Sequence, residues 1–230
     1  MPRHERRQSA PQAKVDQVRR RQRARVIRRV IAVAIAAAIA VAAIVVAVFA
    51  VTTHGTNRTA RTASGAPPAF LASTGGQAQG GPVDGVQCDA GEQTAYHIHA
   101  HVAVFVGGEQ RTIPEGIGIP PPQQVVQTSS GPFVTGGACF YWLHTHDRTG
   151  VIHIESPTQR AYTLGQFFAI WNQPLSGGQV GPAKGTVTVM VDGRRYSGDP
   201  ASITLTAHEL IQLDVGSVVP FRPFTFPPGL

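Results

Sequence analysis

Charge and sulfur are scarce in this sequence. Among 230 residues, charged side chains make up 14%, and there are two cysteines, two methionines and two tryptophans. With an apolar share of 42%, so little charge excludes a fully disordered chain. The first 29 residues hold no aromatic side chain and only two acidic ones, Glu5 and Asp16, against eleven basic ones. An Arg-rich segment without aromatics offers no stacking platform for bases, so nucleic acid is not an expected partner. The net charge of +7 belongs to this tail, because the other 201 residues carry nine basic and eleven acidic side chains.

Familiar catalytic fingerprints are absent as well. There is no Walker loop, dinucleotide fingerprint, GxSxG elbow or calcium-binding loop. His208-Glu209 opens like HExxH, but position 212 is Gln212, and the zinc-protease motif fails. Met190 is the only methionine besides Met1, and none follows Cys139 closely, which argues against a blue-copper set of Cys, His and axial Met. No internal repeat points to a solenoid. The 25 glycines and 18 prolines disfavour long helices outside one special segment and favour short strands and turns.

That segment is Val30 to Val51, 22 consecutive residues without a polar side chain. As a helix it is about 33 Å long, enough for a hydrocarbon core of about 30 Å. Arg25, Arg28 and Arg29 precede it directly, and the next basic residue is Arg58, an imbalance that places the N-terminus in the cytoplasm. Residues 1–29 are then a basic cytoplasmic tail attracted to anionic lipid. A cleaved signal peptide, with Val48 and Ala50 at the cleavage site, is the competing reading. The length of the apolar run favours an uncleaved signal anchor. The expectation is a single-pass protein of the cell membrane with everything after Val51 outside.

Residues 52–86, rich in Thr, Ser, Gly, Ala, Gln and Pro, are expected to be a flexible linker. Residues 87–230 are the candidate extracytoplasmic domain. Their apolar spacing is mostly of period two. Hairpins are expected for 95–106 with 109–113 around Gly107-Gly108, for 140–146 with 151–155, and for 186–191 with 194–196 around Asp192-Gly193. A last strand pair covers 203–205 and 210–215. One helix is expected from Thr163, its cap, to about Trp171. The fold class is therefore a transmembrane helix plus a mostly-β (α+β) domain, an antiparallel sheet with one packed helix. The Pro-rich end PFRPFTFPPGL is expected to lie extended over the surface. Cys88 and Cys139, both external, are expected to form a disulfide, which would stabilise by about 4 kcal/mol.

The chemistry lies in the histidines. Six of the nine fall between positions 97 and 153: His97, His99, His101, His144, His146 and His153. Residues two apart on a strand share a face, so His97, His99 and His101 form one row, and His144 and His146 another. If Arg148-Thr149 is a two-residue loop, Asp147 pairs with Gly150. Counting back three residues on each arm sets His144 opposite His153, on a face shared with Glu155 and Trp142. The first row spans about 13 Å, too long for one ion at Zn–N distances of about 2.0–2.1 Å. Two of its members with one or two of His144, His146 and His153 make the expected site. Imidazoles without thiolate suit Zn(II), Cu(II), Ni(II) or Fe(II), with Zn(II) and Cu(II) the leading expectation. Asp147 and Glu155 are candidates for an oxygen ligand, an orienting partner or a catalytic base. Against this, a lone HxH is more often a solvated or hydrogen-bonded face, and Asp147 can be a simple turn former. His4, His54 and His208 read as incidental.

The blocks YHIHAHV at 96–102, CFYWLHTHDRTGVIHIESP at 139–157 and YTLGQFFAIW at 162–171 resemble a family of bacterial membrane-anchored proteins with HxHxH and LHTHD…IHIESP blocks. The resemblance covers most of residues 88–230. It implies a shared extracytoplasmic domain and no particular activity. A weaker similarity is to cupins, where HxH precedes a Glu by a short gap. Here the first acidic residue after His101 is Glu109, too far along for that pattern. Three classes of function follow: a metal-binding protein that sequesters, senses or delivers a transition metal; a metalloenzyme on the same histidines; and a membrane-tethered interaction domain whose histidines stabilise the fold or respond to pH. The first leads, because no nucleophile or substrate pocket is legible.

Overall fold

The computed structural model describes residues 67–230. The expected cytoplasmic tail, membrane span and first part of the linker lie outside the described residues. Among the described residues no helix is long and apolar enough to cross a membrane. The domain is mostly β, with one short helix and mixed sheets.

Its centre is β2, Tyr96–Val106, an eleven-residue strand with neighbours on both edges. On one edge run β14 (Leu210–Val215), β12 (Val187–Val191) and β13 (Arg194–Tyr196). On the other are β8 (Val151–Ser156), then β7 (Leu143–His144), while β3 (Glu109–Arg111) pairs with the far end of β2. The β2–β14 pair is parallel; the other pairs are antiparallel. The sheet is open, ending at β13 and β7, so it is no cupin barrel. Smaller units are β1 (Cys88–Asp89) with β6 (Phe140–Tyr141), the hairpin β4 (Gln124–Thr128) with β5 (Gly131–Gly136), and β9 to β11 between Leu175 and Lys184.

The period-two pattern sets the two faces of this sheet. Ala100, Val102 and Val104 of β2, Ile152 and Ile154 of β8, and Ile211 and Leu213 of β14 fill one face. Helix α1, Leu164–Ile170, covers it with Leu164, Phe167, Phe168 and Ile170, and Trp171 follows. The helix starts at Thr163 because a capping box closes there: Thr163 Oγ1 accepts from the Gln166 amide and the Gln166 side chain accepts from the Thr163 amide. Cys88 and Cys139 form the expected disulfide, with Cα atoms 5.5 Å apart.

Two expectations need correction. Packing begins well before residue 87: Leu71, Gln77 and Val86 are buried, and the Leu71 amide donates to the Thr112 carbonyl. A few well-spaced apolar residues anchor this polar stretch, and Gln77 pays its burial by bonding Gly116, Gly118 and Ile119 backbone groups. Residues 203–205 do not pair with β14, whose edges are taken by β12 and β2. They bond instead to the start of the helix, Ile203 accepting from Leu164 and Leu205 donating to Tyr162.

Two glycines fix how loops meet the sheet. A Cβ on Gly118, at φ +74°, would lie 2.3 Å from the Leu143 carbonyl oxygen and 3.0 Å from the His144 Cβ. One on Gly150, at φ +86°, would lie 2.4 Å from the Val102 carbonyl oxygen. Both positions require glycine for backbone angle and for close approach.

Candidate metal centre

The face of β2 opposite the helix carries His97, His99 and His101. Their partners across the ladder are Glu155, His153 and Val151 of β8, and His144 of β7 stands opposite His153. That register is the one counted from the sequence, although the connection between β7 and β8 is longer than a two-residue loop. After His144 the chain leaves the ladder: the Thr145 amide donates to Ile117, and the His146 carbonyl accepts from Val134. His146 nevertheless turns back into the cluster, its ring stacked 4.8 Å over Phe133.

Two overlapping groups result, each with ligand atoms within 4.8 Å of one another: His144, His146, His153 and Glu155, and His97, His99 and His153. His and Glu side chains thus lie close enough to hold a metal ion. His101 does not join them. Its Nε2 donates to the Thr149 carbonyl at 2.9 Å, and Phe224 stacks on its ring at 4.0 Å. Asp147 does not join them either. Its Oδ1 accepts from the Thr149 amide and hydroxyl, the turn-forming role.

The proton positions follow from the partners. His144 Nδ1 lies 2.8 Å from the Tyr141 carbonyl oxygen and His146 Nδ1 lies 2.6 Å from that of Val134. A carbonyl can only accept, so each ring carries a proton on Nδ1, and in the neutral ring Nε2 is bare. These two bare nitrogens face one another at 3.1 Å. Glu92 Oε1 stands 3.3 Å from His146 Nε2, and Glu155 Oε1 stands 4.0 Å from His144 Nε2. With both rings neutral, four acceptors converge with no donor between them. Two nitrogens bound to one tetrahedral zinc ion at about 2.0–2.1 Å lie about 3.3–3.4 Å apart, so the pair at 3.1 Å would open by a few tenths of an ångström to hold one.

Burial disfavours protonation of His144, His153 and His99. Burial, then the neighbouring imidazoles of His146 and His153, pushes His144 down to about 3. Burial likewise pushes His153 down to about 2, with His146 and His99 adding to it. Burial, then His97, brings His99 down to about 4. These rings are neutral lone-pair donors at neutral pH, the form in which imidazole ligates. Glu155 is buried, its Oε1 3.0 Å from His97 Nε2 and 3.3 Å from His153 Nδ1, while its Oε2 has no hydrogen-bond partner.

Several contributors were not legible beforehand. The Tyr141, Val134 and Thr149 carbonyls that fix the rings carry no sequence signal. Glu92 had one: the cross-link from Cys88 to Cys139 pairs Cys88 with Tyr141 and so brings residues just after Cys88 toward His144 and His146. Comparison with known protein families, curated proteins and solved structures finds no match for this chain.

Proposed function

We propose that this chain is a single-pass membrane protein whose extracytoplasmic domain binds a transition metal ion, Zn(II) or Cu(II) foremost, through His144, His146, His153 and Glu155. The observation that carries the reading is the pair of bare nitrogens, His144 Nε2 and His146 Nε2, held 3.1 Å apart with each ring proton donated to a backbone carbonyl on the far side. Metal-ligating histidines commonly donate the other ring N–H in this way. The basic tail before a 22-residue apolar run supports the anchor, and the disulfide suits an oxidising compartment.

Binding is favoured over catalysis by burial. His144, His146, His153 and Glu155 are between 0% and 8% exposed, which leaves little space for a substrate beside an ion. Sequestration, sensing or delivery of the metal is therefore the role proposed. The test is metal content by mass spectrometry on the full 230-residue chain, purified without tag or chelator and exposed to Zn, Cu and Ni. Near-stoichiometric metal is expected, lost in the His144→Ala/His146→Ala variant. Unchanged content in that variant would remove the pair from the site. No metal retained by the native chain near pH 7.5, where imidazoles are free to bind, would leave a structural or pH-responsive face instead.

A further inference from the structure

The six clustered histidines are not equally accessible, and the one that reaches solvent belongs to the second ligand group. The His97 side chain is 36% exposed, whereas those of His144, His146 and His153 are at 11% or below and His99 is buried. His97 Nε2 meets His99 Nε2 at 2.9 Å, a hydrogen-bond distance that a shared tetrahedral ion would widen to about 3.3–3.4 Å. The third member of this outer group is His153, which also belongs to the inner one. Its ring lies 4.5 Å from that of His99 on one side and 4.5 Å from that of His146 on the other.

We infer that the outer set, His97, His99 and His153, is a loading station from which a single metal ion passes to the inner set, His144, His146, His153 and Glu155; this rests on the metal-binding reading above. His153 Nδ1 lies 3.3 Å from Glu155 Oε1 and donates its proton there, so only Nε2 is left for an ion. One nitrogen cannot complete both sets at once, and the two are alternative positions for one ion. In the transfer His153 stays bound while His97 and His99 are exchanged for His144 and His146. No electron moves, and the entering nitrogens are already bare, so no proton has to leave them. Glu155 Oε1 adjoins both sets, 3.0 Å from His97 Nε2 and 4.0 Å from His144 Nε2. A second carboxylate, Glu92, faces only the inner set, 3.3 Å from His146 Nε2. The second carboxylate makes the inner set the end of the path.

The test follows Co(II) uptake by the full chain in stopped flow, through the visible absorption of the bound ion, with Zn(II) displacement to count sites. The native chain is expected to bind one equivalent in two phases, a fast outer and a slower inner one. His97→Gln removes an outer ligand and disturbs no core residue. It is expected to lose the fast phase and load about tenfold more slowly or worse, the scale of losing one metal partner, with final stoichiometry and spectrum unchanged. His144→Ala/His146→Ala is expected to keep the fast phase but release its ion at once to a chelator. Loading of His97→Gln at the native rate, or two equivalents of equal affinity in the native chain, would overturn the relay and leave the metal site standing. A native chain that takes up no Co(II), Zn(II) or Cu(II) overturns the metal site, and the relay with it.

Discussion

The two faces of β2 are built from the same strand and buried to nearly the same depth, yet they are held by different means. On the helix side Ala100 is 0% exposed and on the other side His99 is 5% exposed. The first face needs only shape and apolar area, because aliphatic and aromatic groups leave water without a partner. The second must find a partner for every polar atom it buries. Most do: His101 gives its proton to Thr149, and Gln212 and Asp214 bond to one another and to Val219 and Arg222 of the C-terminal segment. The bare nitrogens of His144 and His146 find only other acceptors. On this polar face internal pairing stops where the His and Glu side chains lie close enough to hold a metal ion.

The contrast can be broken hardest on the apolar side. Phe167→Ala, beneath the sheet, is expected to cost about 3–5 kcal/mol, read as a lowered urea midpoint, while metal content per folded chain stays unchanged. Loss of metal at full foldedness in that variant would show that the faces are not independent.

Acid acts on the opposite side. His99, His101, His144 and His153 are held at about 4, 4, 3 and 2 in the folded chain, below the unfolded value of about 6.5. Between those limits the unfolded chain binds more protons, so stability is complete above about pH 6.5 and falls as the pH drops toward 4. The slope expected of the metal-free protein is up to about 1.4 kcal/mol per pH unit for each histidine. Urea midpoints at three pH values check it, and bound metal should flatten the curve. A midpoint that does not move on acidification would remove burial as the state of these rings. Phe167→Ala should lower the whole curve without changing its slope.

The smallest effect sharpens the boundary between site and surroundings. Phe224→Ala removes the ring stacked on His101 and is expected to cost about 0.5–1.5 kcal/mol with no change in metal affinity. A weaker affinity would bring His101 into the site.

How much of this was legible depended on whether a residue's fate was decided inside its own strand. The alternation of β2, the helix capped by Thr163 and the hairpin turns are local, and they lie where the pattern puts them. The meeting of His144 with His153 was a matter of counting along two arms. His101 shares the spacing of His97 and His99, but a loop carbonyl and a distant aromatic claim it, and neither is near it in sequence. Residues 71–86 read as a tether because their composition is poor in apolar side chains; composition cannot say that Leu71, Gln77 and Val86 each have a place waiting.

The Cys88–Cys139 cross-link also sets an order of events. It ties the segment bearing Glu92 to the segment running into His144 and His146. Until the two thiols are oxidised, nothing covalent keeps that carboxylate beside the imidazoles. Under the metal-binding reading proposed above, oxidation of the two thiols would therefore precede assembly of the full ligand set.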